Sequence, residues 1–222
     1  MKKLFFLILL SLLIGGCGLN QTPTWIIAGN HYMERFKKNF LTGEQPYITE
    51  LNFQKAVKEI KKSGDLDLLE KAWLTRMALQ GAVLKEMEEG DYGKIAAVKP
   101  VPANRNFYIF LTGDAAEADG ALLPEQYSRF LEAIRKGDVV KTEKAIADMG
   151  DDPISQLIAA GLAVRRHLES EMILNTAVET ASRNGWKMAL LAWLERLCAF
   201  HAAAGDAGKA AAVRRRIELI EK

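Results

Sequence analysis

Only two cysteines, Cys17 and Cys198, occur in the 222 residues. That is too few for the disulfide framework that holds small secreted domains together. Histidine is scarce as well: His31, His167 and His201 stand far apart, and none has a metal-ligand spacing to another histidine. There is no C-x-x-C-H string for covalent haem, no glycine-rich phosphate loop and no G-x-S-x-G elbow. Charge of one sign is also missing. Thirty basic side chains face 28 acidic ones, for a net charge of +2, so nothing predicts a general attraction to nucleic acid. The longest apolar run is about half of what a membrane-spanning helix needs. The expectation from these absences is a protein that is not an enzyme, with no catalytic residues, no metal, no cofactor and no nucleic-acid partner.

Two weaker patterns belong with the absences. His201 follows Cys198 by three residues, on one helical face, which allows a thiol–imidazole pair, but a buried small residue beside a helix-end histidine is the simpler reading. Asp114, Glu117 and Asp119 in DAAEADG put carboxylates in a loop. They do not alternate as an EF-hand requires, so calcium is not expected.

The positive signals begin at the amino terminus. Lys2 and Lys3 precede an apolar run from Leu4 to Ile14, followed by Gly15, Gly16 and Cys17. The string Ile14-Gly15-Gly16-Cys17 resembles the lipobox of bacterial lipoprotein signals. The resemblance implies cleavage between Gly16 and Cys17, removal of residues 1–16, and lipidation of Cys17, with two or three acyl chains as a stable anchor. Gly18, where an aspartate would favour the inner membrane, implies the outer membrane and a body facing the periplasm. The mature chain would hold 28 basic and 28 acidic side chains. Residues 17–24 form the lipidated cysteine and a short tether. Trp25-Ile26-Ile27 then either dips into the lipid interface or enters the core, and the core is the expectation.

From Asn30 the pattern is helical. Asn30 is read as a cap, with Tyr32 or Met33, Phe36 and Phe40 as one stripe and Gly43 as the stop. Pro46 opens the next helix, carrying Leu51, Phe53, Val57 and Ile60 to Ser63-Gly64. Asp65 caps a third helix, which runs through Trp73 and Met77 to about Glu88. Residues 90–123 break the pattern with four glycines and with Pro100 and Pro102. Within this stretch NFYIFL fits a strand or a short buried helix equally well. Helices return after Pro124, for roughly nine in all, joined by short turns suited to antiparallel neighbours.

The string FLTG occurs at 40–43 and again at 110–113. The segments downstream of the two copies are collinear: Phe53 matches Tyr127, Val57 matches Leu131, Ile60 matches Ile134, Gly64-Asp65 matches Gly137-Asp138, and Glu70-Lys71-Ala72 matches Glu143-Lys144-Ala145. Matched stripe, turn and cap are the pattern that a shared backbone requires, so the reading is a scaffold unit of about 70 residues used twice. FLTG is then a helix-ending device, its glycine taking the left-handed position. A paired binding motif would rest on Thr42 and Thr112 alone.

A third Gly-Asp turn lies in AWLERLCAFHAAAGDAGKAAAVRRRIELIE, with small residues Cys198 and Ala210 where two helices would touch. This resembles tetratricopeptide-type repeats. The family's aromatic positions and closing proline are absent, so the likeness is to helical hairpins broadly. It implies an all-α fold, antiparallel hairpins stacked as a short α-solenoid or repeat-like bundle, with one irregular insertion at about 90–123. Residues 25–89 form the first unit; 124–222 form the second unit and the terminal hairpin. Arg214-Arg215-Arg216 is read as ordinary helix-end charge. The function expected is that of a membrane-anchored scaffold or assembly factor. It would bind an envelope protein through a groove or through the insertion from Gly90 to Leu123. A small-ligand-binding or enzymatic lipoprotein with a cleft between the lobes is the alternative.

Overall fold

The computed structural model describes residues 22–113 and 117–221. Gly16, Cys17 and Asp114 lie outside them, so the lipobox is not among the described residues. Those residues form α-helices and two 3-10 turns, with no strand. The helices are α1 (Thr24–Thr42), α2 (Pro46–Lys61), α3 (Leu66–Ala82), α4 (Tyr92–Val98), α5 (Pro102–Thr112), α6 (Ser128–Arg135), α7 (Val139–Ala147), α8 (Pro153–Arg165), α9 (Glu171–Arg183), α10 (Lys187–Ala203) and α11 (Ala207–Glu221). The fold is all-α and repeat-like, as the sequence predicts. The two helices beyond the expected nine come from the insertion, where NFYIFL is helical as part of α5 rather than a strand.

Local chemistry sets most boundaries. Pro46, Pro102 and Pro153 each occupy the first turn of a helix, where the missing amide hydrogen costs nothing. Asp65, Asp138, Asp152 and Ser170 accept from amides in the first turns of α3, α7, α8 and α9. Two expected boundaries move. α1 starts at Thr24, after Pro23, so Asn30 is an interior residue and not a cap. Gly29 is buried inside the helix against Glu59 and Ile60 of α2, at a distance that would also admit a Cβ. α3 stops at Ala82 and does not reach Glu88. Leu84 takes a left-handed φ of 58°, the Lys85 amide returns to Gln80 O at 2.9 Å, and the Gln80 side chain accepts the Glu88 amide at 2.9 Å.

Both FLTG strings end helices. Gly43 and Gly113 sit at φ 82° and 94°, while Leu41 and Leu111 are buried. Thr42 Oγ1 donates to Lys38 O at 3.0 Å, and Thr112 Oγ1 donates to Tyr108 O at 3.1 Å. The matched positions downstream agree in turn and cap, with Gly64 and Gly137 left-handed and Asp65 and Asp138 as caps. Phe53, Tyr127, Val57 and Leu131 are all buried, whereas Ile60 and Glu143 are less buried than their counterparts Ile134 and Glu70. The packing partners differ. α1 lies along α2, whereas α5 packs on α3.

The hairpins α6–α7, α8–α9 and α10–α11 stack in order, with α7 against α8 and α9 against α10. Across α10 and α11 the Cys198 thiol donates to Ala210 O at 3.4 Å, at the small-residue contact expected there. The faces of α8 and α10 not used in this stacking are covered by the N-terminal unit: α3 packs on α8 and α1 on α10. α3 is accordingly buried on nearly all sides. At its crossing with α8 a Cβ on Gly161 would lie 2.3 Å from Gly81 O, so only glycine permits that approach. The fully buried Trp193 of α10 donates its indole hydrogen to Ala82 O at 2.9 Å, satisfying one carbonyl at the end of α3. One core cluster runs from Phe36 in α1 to Leu197 in α10, through both sequence units.

Candidate functional site

The insertion places its apolar residues along the outer side of α3. There an open groove of about 580 Å³ is lined by Leu74 and Thr75 of α3, Ala103, Asn104 and Phe107 of α5, and the segment 121–124. Leu122 is 42% exposed beside it, and Val98 at the end of α4 is 76% exposed. These are the most exposed large apolar residues described in the 90–123 stretch.

The groove has a rigid frame. Phe110 is fully buried and packs edge-on against Phe130 and at 5.0 Å from Tyr127, which fixes α5 on the second unit. Asn106 clamps the segment that succeeds α5: its Nδ2 donates to Asp119 O at 2.8 Å and its Oδ1 accepts the Asp119 amide at 2.6 Å. The Asp119 side chain is spent on the Ala121 amide at 2.9 Å, so this carboxylate of DAAEADG is a local cap. Arg135 donates to Ala118 O.

Beneath the groove lies a buried polar seam. Asn104 Nδ2 donates to Glu70 Oε2 at 2.9 Å and to Asp67 Oδ1 at 2.8 Å. Glu70 is completely buried, and its Oε1 has no hydrogen-bond partner among the described residues. The hydrogen bond from Lys71, helped by that from Asn104, holds the Asp67 carboxyl below its usual range. Tyr92 stacks on Tyr108 with centroids 4.8 Å apart. Burial pushes the Tyr92 hydroxyl up to about 12, reinforced by the negative charge of Glu70. Burial raises Tyr108 too, with Glu89 adding to it. Tyr127, also raised by burial, donates to Ser155 Oγ at 2.9 Å. Ser155 Oγ in turn donates to Asp152 Oδ2 at 2.7 Å, within the cap of α8.

Two further clefts flank the N-terminal unit. One, of about 380 Å³, is lined by Trp25, Ile26, Gly29, Met33, Ile60 and Ala72, and it shares Lys71 and Thr75 with the groove. The other, about 650 Å³, lies where the first FLTG string meets α10, with Thr42, Gly43, Lys85, Met188 and Leu191 in its walls. Leu191 of α10 faces this cleft. Arg196 at its edge is held by Glu169 at 2.7 Å.

The remaining singled-out residues do not converge. His31 and His167 are exposed, one on α1 and the other in the turn after α8, while His201 is buried with Nε2 3.9 Å from Glu171 Oε1. Cys198 and His201 therefore turn to different partners. Arg214, Arg215 and Arg216 are exposed on α11. Among the described residues no group of three potential metal ligands exists, and no helix is long and apolar enough to cross a membrane. Asn104, Asn106 and Glu70 are not legible in the sequence as a network. Glu70 carries only one hint, a charged residue between Leu69 and Trp73 on the buried stripe.

No protein-family model, curated protein or solved structure matches the chain.

Proposed function

We propose that this chain is a lipid-anchored interaction protein of a bacterial envelope, facing the periplasm from the outer membrane, whose helical body takes one protein partner in the groove between α3 and α5. The lipid anchor rests on Ile14-Gly15-Gly16-Cys17, with Cys17 as the lipidated residue, and the outer membrane on Gly18. The observation that carries the partner surface is the groove itself. The faces of α8 and α10 that a hairpin stack would offer to a partner are occupied by α3 and α1, whereas the insertion leaves Leu122 and Phe107 along an open apolar channel on a rigid frame. Apolar residues partly exposed around a pocket are the usual anchor points of a protein interface.

A photo-crosslinking residue placed at Leu122 or Val98 of the full chain in intact cells is expected to join one dominant envelope protein. The same residue at Val140, equally exposed on α7 at 72%, serves as the control. Crosslinks only to bulk porins, or equal yields at all three positions, would remove the partner groove. Metabolic labelling with a palmitate analogue tests the anchor separately: label lost in Cys17→Ser is the expected result.

The small-ligand alternative has one feature in its favour, the cleft at Thr42 and Met188, because the rest of the contact between the units is filled by side chains. That reading requires Met188→Trp to weaken the binding of a ligand that raises the melting temperature of the wild type.

A further inference from the structure

The end of the body nearest the anchor carries its own signature. α1 starts at Thr24, six residues beyond Gly18, so a fully extended connection from Cys17 spans only about 25 Å. The residues that open α1 are Trp25 and Ile26, both half-buried, and Ile27, 59% exposed. Trp25 and Ile26 line the cleft of about 380 Å³ together with Ile60, so the last turns of α2 stand beside them. That part of α2 and the residue after it carry Lys58, Lys61 and Lys62, all exposed. Lys62 is held by Glu59 at 2.7 Å. Lys58 and Lys61 form no ion pair among the described residues. The charge of Lys61 acts on Asp91, but Asp91 is already paired with Lys94 at 2.8 Å, and its carboxyl is held low chiefly by that bond. Asp65 and Asp67 face the same end, and both are engaged, Asp65 with the amides of Asp67 and Leu68 and Asp67 with Lys71.

Half-buried Trp25, exposed Ile27, an open apolar cleft and two unpaired lysines therefore lie at the same end of the body, the end from which the chain leaves for its lipid. A protein with balanced charge has no general pull toward anionic surfaces, so this local surplus decides orientation. Tryptophan settles at the headgroup level of a bilayer, and lysines beside it meet anionic phosphates. We propose that the body rests on the membrane by this end: Trp25, Ile26 and Ile27 enter the interface of the leaflet that holds the anchor, and Lys58 and Lys61 contact its anionic phospholipid headgroups. This orientation rests on the lipoprotein reading. It makes the α3–α5 groove run from the membrane-facing cleft up the side of the body.

The test uses the full lipidated protein purified from cell membranes and reconstituted into vesicles of phosphatidylethanolamine and phosphatidylglycerol at about 3:1, with bromine on the acyl chains. Trp73 and Trp193 are 9% and 0% exposed, so bromolipid reaches neither. Trp186, half-buried in the turn before α10, stays in place when Trp25 is replaced and so separates its own share of the signal. Quenching that disappears in Trp25→Phe is expected, and Ile27→Asp should reduce it. For the unlipidated chain, sedimented with the same vesicles, Lys58→Gln with Lys61→Gln should lower binding about 25-fold, roughly fivefold per lysine. Emission from Trp25 that bromolipid leaves unchanged, or a photo-crosslinker at position 27 that joins a protein instead of lipid, would overturn the proposal. Mass spectrometry of Cys17 separates the two readings. If the residue carries no acyl chains the anchor reading fails, and the vesicle sedimentation still decides whether this end binds lipid.

Discussion

The two sides of α3 are packed in different ways. On one side Gly81 meets Gly161 of α8 backbone to backbone, and Trp193 donates to Ala82 O at the helix end, so the crossing itself is closely packed. On the other side α5 stands off far enough to leave a groove, and the contact is mediated by the polar seam of Glu70, Asn104 and Asp67. Dry close packing fixes the stack and leaves nothing to bind with. A contact held by a few directed hydrogen bonds can keep its distance and leave apolar walls uncovered.

Substitutions on both sides test that contrast. Gly161→Val pushes a branched side chain into Gly81 O and should cost about 3 kcal/mol, seen as a large drop in the urea midpoint. Asn104→Ala removes the donor shared by Glu70 and Asp67 and strands a buried carboxylate, at about 2 kcal/mol. If stability were unchanged, the seam would not hold α5 in place. Phe107→Ala, on the groove wall, should cost roughly half as much as Gly161→Val because its side chain is only partly buried. Equal losses for those two would mean that the sides of α3 are not distinct. Gly43→Ala and Gly113→Ala each force alanine into a left-handed conformation at about 1 kcal/mol. The first should cost more, because its new Cβ lies 3.2 Å from Met188 while the second meets open space. Reversal of that order would contradict the different surroundings of the two FLTG ends.

The smallest effect at neutral pH comes from Tyr92. Its hydroxyl is raised from 10.0 to about 12, so the folded state disfavours the phenolate. The stabilisation is complete below pH 10 and is lost as pH rises from 10 toward 12. Tyr92→Phe should flatten the urea midpoint over that interval and leave it alone at pH 7. An unchanged alkaline slope would assign the effect to other groups.

The fold is legible in the sequence because its signals are local. Gly-Asp turns, Asp and Ser caps, first-turn prolines and stripes such as Phe53, Val57 and Ile134 each act within a few residues. Expectation and structure part where a distant contact overrides a local cue. Asn30 reads as a cap yet lies inside α1, and the residues after Ala82 look helical yet turn at Leu84, where Gln80 holds the Glu88 amide. The groove is legible only as a location, the 90–123 insertion. Its frame depends on Asn104 reaching Asp67 and Glu70 more than thirty residues away, and nothing in either segment announces that pairing.

The hydrogen bond from Trp193 to Ala82 O closes over 111 residues. The cover for the inner side of α3 arrives late in synthesis, since α8 and α10 are made well after α3. Until α8 and α10 are available, the Gly81–Ala82 end of α3 lacks its cover. The nascent chain therefore has a waiting period in which its amino-terminal half is sticky. Truncation before α10 should yield an aggregation-prone product even though all of α1–α5 is present, because native topology makes the two ends of the chain complete each other.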